Sequence, residues 1–454
     1  MLHFNFVEQI KVLIFAEYNP YSKMLQKIIF TAFIAGIFTT GISAQTGSWK
    51  GELKFGGTAL PLVFNFSADG CTMDSPAQGV KGLPTEWTPD ASGMVTVRIP
   101  AINGSYEGQM EVDSITGKFT QHGYSFPLTL HRGEVKFRRP QTPKPPYPYT
   151  TEEVSFANGE ATLRGTLTLP KDCTSSTPVL IMITGSGLQN RDEEVFGHKP
   201  FAVIADALAR QGIASLRFDD RGFGESTGDV VNCTTYDLRD DAASGIELLR
   251  KRFKRVGALG HSEGGTIAMM LAGEGKADFA VSLAGMTVSG KELLLAQNRD
   301  ALAGMGVDRA VTDNYCRHLA QGMDAAMSGK DIAPVTDATL PASLAENLNK
   351  ALQQFGTPYM REFLKLEEGA KLGSVNVPLL ALNGTRDRQV DCDKNLGMVK
   401  ASSKGKAFTV KAYEGLNHLF QHSETGSQDE YGKIEETISP EVLGDIAKWI
   451  NGLK

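Results

Sequence analysis

The sequence is poor in cysteine, has no stretch dominated by positive charge, and repeats nothing internally; each shortage removes a class of protein. Its five cysteines, Cys71, Cys173, Cys233, Cys316 and Cys392, are scattered over 454 residues with no C-x-x-C pair. An odd, dispersed set is neither a disulfide framework nor a metal-ligand motif, although a bridge or two would be compatible with an oxidising compartment. A net charge of -6 with no basic run gives no electrostatic footing for nucleic acid. Absence of a repeat argues against solenoids and propellers.

What is present is globular. Hydrophobic residues make up 41% and charged residues 22%, enough to bury a full core. The length suggests two or three domains. Residues 1–44 read as a leader. From Met24 the chain runs "MLQKIIFTAFIAGIFTTGISAQ", with a lysine, an apolar run over Ile28–Ile42 and small residues at Ser43-Ala44. This is the pattern of a secretory signal with Met24 as the initiator. The apolar run is too short for a membrane anchor. The expectation is an exported protein, periplasmic or extracellular, with no stable membrane span after cleavage.

Three regions follow. Residues 45–138 alternate apolar and polar positions in short runs such as "LPLVFNF" and "MVTVRIP", which reads as a small all-β domain. Residues 139–150, inside "RRPQTPKPPYPYT", are proline-rich and predict an extended linker. From residue 151 continuous apolar strands such as "PVLIMIT" and "VGALG" alternate with helical patterns. That is the signature of a parallel sheet covered on both faces. The alternation spans 151–285 and 374–454. Between them, residues 286–373 form an Ala-, Leu- and Met-rich helical insertion, placed as a cap. Its methionines read as core filler.

Two segments fit G-x-S-x-G, around Ser226 and around Ser262. Ser262 follows the strand-like Val256–Leu259 and precedes a helical pattern from Thr266, which is the strand-turn-helix of a nucleophile elbow. Ser226 is followed by polar turn residues, so a hydroxyl tying down a glycine-rich loop is expected there. A serine nucleophile needs a base held by a carboxylate. Asp387, in "LALNGTRDRQVDCD", and His418, in "AYEGLNHLFQH", each lie in a loop after a late strand, in the order Ser, Asp, His. Asp391, Asp393 and His422 compete for these places. His261, beside the serine, is expected to be structural. The oxyanion donors are assigned to the amide of Glu263 and to Ser186 or Gly187 in the loop after "PVLIMIT", with Leu188 as an alternative.

Five motifs, "GSGLQNRDE", "DDRGFGES", "GHSEGG", "NGTRDRQV" and "GLNHLF", occur in this order across residues 151–454. Together they resemble the α/β-hydrolase superfamily, near the bacterial esterases grouped with serine aminopeptidase-like and dienelactone hydrolase-like proteins. The resemblance implies an α/β-hydrolase fold, a mostly parallel sheet covered by helices, with a cap over the site. It also implies Ser262 as nucleophile, Asp387 as acid and His418 as base. Thr184 stands where many relatives carry the histidine of a His-Gly oxyanion motif. Residues 45–138 resemble, more weakly, the β-rich extension of some secreted esterases.

The expected function is hydrolysis of small carboxylic esters, with short acyl chains, through an acyl-enzyme. No cofactor, metal or nucleic-acid partner is expected. Two alternatives are a peptidase of the serine aminopeptidase type and an envelope- or glycan-binding protein on an inactive hydrolase scaffold.

Overall fold

A computed structural model describes residues 46–453 apart from 56–57, 77–79, 88–89, 91, 122–123 and 137. The segment expected as a leader, with its expected start at Met24, lies outside the described residues. The chain divides into two compact units, Met1–Arg138 with Val195–Gly197, and Arg139–Glu194 with His198–Lys454.

The first unit is all β. Its strands are β1 (Gly47–Phe55), β2 (Thr58–Ser67), β3 (Gly70–Ser75), β4 (Val80–Pro84), β5 (Glu86–Trp87), β6 (Met94–Ile99), β7 (Gly104–Met110), β8 (Ser114–Gln121) and β9 (Tyr124–Arg132). They form one sheet in the order β4-β3-β2-β1-β9-β8-β7-β6-β5. Alternation sets the core face: along β6, Val95, Val97 and Ile99 are buried while Met94, Thr96 and Arg98 are exposed. The sheet curls, bringing Phe66 of β2 and the edge residue Trp87 of β5 to 5.1 Å between ring centroids. The enclosed core includes Trp49, Phe64, Tyr106, Ile115 and Phe119. Buried in it, the Tyr106 hydroxyl donates to the Ile115 carbonyl at 2.8 Å, as a buried phenol must.

The second unit is built on β10 (Thr150–Asn158), β11 (Ala161–Leu169), β12 (Val179–Ile183), β13 (Ala214–Phe218), β14 (Val256–His261), β15 (Ala280–Leu283), β16 (Leu379–Gly384) and β17 (Phe408–Tyr413). Their order is β10-β11-β13-β12-β14-β15-β16-β17. The hairpin β10/β11 adds antiparallel to β13, and every pairing from β13 to β17 is parallel. Every residue of β12, β14, β15 and β16 is buried, because helices cover both faces. Along β12 the faces alternate: Leu180 and Met182 meet Phe201, Ile204, Val442 and Ile446. Val179, Ile181 and Ile183 pack instead with Ile246, Leu249 and Ile267.

The segment expected as an extended linker is pinned to this unit. Arg139 donates to the carbonyls of Gly432 and Ile434 at 2.8 and 3.0 Å, and the Gln141 amide donates to the Ile438 carbonyl at 2.7 Å. Proline content predicts an extended backbone but not which surface it lies on.

Between β15 and β16 stand helices Gly290–Gly304, Arg309–Met327, Ala342–Gln354, Pro358–Phe363 and Glu368–Lys371. This insertion leaves from the carboxyl end of β15, the sheet edge where ligands bind in open α/β folds. The five cysteines are free thiols.

Candidate active site

Four loops at the carboxyl ends of β12, β14, β16 and β17 carry the candidate residues. Ser262 directly follows β14 and caps the helix Glu263–Gly273 with φ 55° and ψ -122°. A side chain in this region is strained, and the turn exists only because its neighbours lack β-carbons. One on Gly260 would meet the Gly264 carbonyl oxygen at 1.9 Å, and one on Gly264 the Ile183 oxygen at 2.0 Å. The Ser262 amide donates to the Leu283 carbonyl at 2.8 Å, and the serine itself is only partly buried.

His418 and Asp387 meet: Nδ1 lies 2.7 Å from Oδ2, with both side chains almost wholly buried. The other aspartate oxygen accepts the amides of Gln389 and Val390 at 2.8 and 2.9 Å. The carboxylate is therefore fixed before it orients the imidazole. Among its rivals, Asp391 caps the helix Cys392–Ala401 by accepting the Lys394 amide at 2.8 Å, and Asp393 lies in that helix's first turn. His422 pairs with Glu436 on the surface. Ser226, 5% exposed, donates to the Asp219 carbonyl at 2.9 Å and accepts the Arg164 amide at 2.9 Å.

The loop after β12 abuts Ser262. A β-carbon on Gly185 would stand 3.2 Å from that of Ser262. Among the described residues, no hydrogen bond uses the amides of Ser186, Gly187, Leu188 or Glu263. The Gly185 amide, in contrast, donates to Glu193 at 2.8 Å.

Sequence reasoning missed the acids that hold this loop. Asp220 accepts the Thr184 hydroxyl at 2.7 Å and the Gln189 amide at 2.8 Å. Burial outweighs those bonds and, with Glu193 and Glu263 near, pushes its carboxyl up to about 8. Asp219 takes the Arg191 amide at 2.7 Å and its guanidinium. Glu193, 3% exposed with φ 51°, also meets His261 Nδ1 at 3.1 Å. His261 Nε2 in turn lies 2.8 Å from the His418 carbonyl oxygen. A carbonyl only accepts, so Nε2 carries a proton, and the facing carboxylate favours a second on Nδ1. Burial opposes that charge, but Glu193 prevails and raises the His261 pKa. "DDRG" and "RDEE" mark these acids in sequence, but no spacing says that they converge.

The elbow, the Asp-His pair and the abutting loop, all at one end of a parallel sheet, are the arrangement of an α/β hydrolase. The profile of the serine aminopeptidase S33 family matches residues 199–425, half of the chain. The chain belongs to the serine aminopeptidase S33 family. It is an α/β hydrolase preceded by an all-β unit. The S33 match takes in the elbow, both loops with Asp387 and His418, and the whole cap. The chain is similar to esterase EstD of Thermotoga maritima, 25% identical over 357 residues, covering 76% of this chain and 80% of that one. Among solved structures it is similar to the Pyrococcus furiosus esterase Pf2001, at 16% identity and TM-score 0.42, over 70% of this chain and 98% of that one. Similar too is proline iminopeptidase of Mycobacterium smegmatis, at 15% identity and TM-score 0.42, over 66% and 98% of the two chains.

Proposed function

We propose that this protein is a serine esterase acting on small carboxylic esters, with Ser262 as nucleophile, His418 as general base and Asp387 as its orienting acid. The carrying observation is the 2.7 Å bond between His418 Nδ1 and an Asp387 held by two amides. That bond leaves the opposite ring nitrogen to serve the serine on the elbow. His418 Nε2, neutral at the outset, takes the Ser262 hydroxyl proton as the oxygen attacks the ester carbonyl. The carbonyl oxygen gains negative charge and is met by the amide of Glu263 and by that of Ser186 or Gly187. Collapse expels the alcohol, which leaves with the proton from His418. Water then attacks the acyl-serine with the same base, releasing the acid and restoring the serine.

The similarity to esterase EstD supports the ester reading. A peptidase would need a free acid near the nucleophile for the substrate amine. Glu263, the acid next to Ser262, is already taken by the hydroxyls of Thr235, Ser186 and Tyr359. A dead scaffold would not be expected to keep all three residues in this order. Tyr359 belongs to the cap helix Pro358–Phe363, so the cap stands against the site; this favours short acyl chains. Among the described residues no helix is long and apolar enough to cross a membrane. We also propose export, on the leader pattern.

The test is hydrolysis of p-nitrophenyl esters from acetate to long acyl chains by wild type, Ser262→Ala and Ser226→Ala. Turnover is expected to be fastest on short chains and to fall by several orders of magnitude only in Ser262→Ala. Failure of the wild type on every ester, with cleavage of aminoacyl p-nitroanilides, would replace this reading by the peptidase.

A further inference from the structure

Glu263 has two functions to fill, and only its main chain is used by the proposed reaction. Its side chain is 2% exposed, and among the described residues no lysine, arginine or histidine pairs with it. A buried carboxylate with no counter-charge is costly to keep unless strong donors compensate. Here the donors are three hydroxyls. Thr235 donates to Oε1 at 2.6 Å, while Ser186 and Tyr359 donate to Oε2 at 2.7 and 2.5 Å. Its place in the first turn of its own helix adds a smaller contribution.

These hydroxyls come from three separate parts of the unit. Thr235 opens the helix Thr235–Arg250, which packs beside the sheet. Ser186 belongs to the loop after β12 that abuts Ser262. Tyr359 stands on the short cap helix Pro358–Phe363, stacked on Phe363 with ring centroids 5.8 Å apart. That helix cannot drift: Phe363 is 5% exposed, and a β-carbon on Gly290 would lie 2.0 Å from its carbonyl oxygen. The Tyr359 hydroxyl, buried beside Glu263, is held firmly in its protonated, donating form.

We propose that the Glu263 side chain is a positioning residue that sets the spacing of the oxyanion donors, and that Tyr359 of the cap completes the setting. This rests on the serine-hydrolase reading of the site. One residue then fixes both donors: its own amide, directly after the nucleophile, and the Ser186–Gly187 amides through the Ser186 hydroxyl. The cap is thereby wired to charge stabilisation rather than serving only as a wall. Loss of a single hydroxyl should loosen the loop without changing the acyl pocket. Its effect falls on the tetrahedral state and spares substrate binding, because those amides gain their full value only when charge develops.

The experiment uses Tyr359→Phe, Ser186→Ala and Ser186→Thr in the full chain. Three readouts are p-nitrophenyl butyrate kinetics, the rate of Ser262 labelling by a fluorophosphonate, and inhibition by butylboronic acid against that by butyrate. Labelling forms a bond from Ser262 Oγ to phosphorus and expels fluoride. It needs the serine, its base and the oxyanion donors but no ester specificity. Tyr359→Phe and Ser186→Ala are expected to lower kcat and the labelling rate by roughly ten- to a hundredfold, with KM within about threefold. Boronate inhibition should weaken by a similar factor and butyrate inhibition stay unchanged. Ser186→Thr, which keeps the hydroxyl, should recover most of the loss.

Unchanged kcat and labelling in Tyr359→Phe, or a rise in KM alone, would overturn the proposal; so would equal loss of boronate and butyrate binding. Wild type that is labelled but hydrolyses no ester would sink the esterase reading and leave the positioning role to be judged on labelling rates. If wild type is neither labelled nor active, both fall.

Discussion

His261 Nε2 lies 2.8 Å from the main-chain oxygen of His418, and Nδ1 of the same ring lies 3.1 Å from Glu193. His261, the residue before Ser262, therefore links the loop bearing His418 to the loop after β12. Glu193 Oε1 also takes the Gly185 amide, while its Oε2 is buried without a hydrogen bond.

Replacing His261 by Ala should leave Glu193 buried and unpaired. Breaking a buried pair in this way costs about 3–5 kcal/mol. Chemical denaturation should show that loss. Glu193→Gln, which keeps the shape and removes the charge, should cost less. Equal stability of His261→Ala and wild type would mean that the pair contributes nothing.

Asp387→Asn should lower kcat by about 10³–10⁴, because the amide favours the wrong tautomer of His418. Asp391→Asn should leave kcat within about twofold, since asparagine caps a helix as well as aspartate. Steady-state kinetics on one ester compares the two directly. A large kcat loss in Asp391→Asn instead would reassign the acid.

Ser226→Ala should cost about 1–3 kcal/mol by orphaning the Arg164 amide and the Asp219 carbonyl. Ester turnover per folded molecule should be nearly unchanged. Thermal melts paired with active-site titration separate the two effects.

The stability of the second unit should be greatest in mildly acidic solution. Burial, helped by Arg139, lowers His198 to about 4 from an unfolded value of 6.5. The unfolded chain holds the extra proton in that window, so this term is present above pH 6.5 and is lost as pH falls toward 4. Asp220, raised to about 8 from 3.8, acts in the opposite sense. The native state keeps its proton longer, so its contribution is present at low pH and is lost as pH rises to about 8. The two oppose each other between about pH 4 and 6.5. Above 6.5 Asp220 acts unopposed, and the raised His261 pKa adds to it. Unfolding free energies from urea titrations should therefore fall between pH 6.5 and 8, by up to about 1.4 kcal/mol per pH unit for each titrating group. A flat profile there would contradict the Asp220 assignment.

Much of this architecture is legible in one sequence because buried parallel strands have to be apolar throughout. "VLIMI" and "LLALNG" mark β12 and β16 for that reason. The order of Ser262, Asp387 and His418 is legible too, since each follows a recognisable strand. The acids behind the loops are not. Glu193 at φ 51° and Asp220 take their positions from tertiary packing, and no local pattern separates them from solvated acids. Asp391 and Asp387 look alike until one is seen capping a helix. The elbow motif gives Glu263 an amide role, while its side chain depends on a tyrosine almost a hundred residues away.

The helical insertion lies between β15 and β16, so it separates Ser262 in the chain from both of its proposed partners. A ribosome makes Ser262, then the helix that follows it and the five of the cap, and only afterwards the proposed acid and base. On that assignment, until the His418 loop is laid beside β16, Ser262 lacks its general base. A chain with this order carries its own delay. On the proposed assignment the chain is expected to be inactive while it is being synthesised, and so is any product truncated before Gly415.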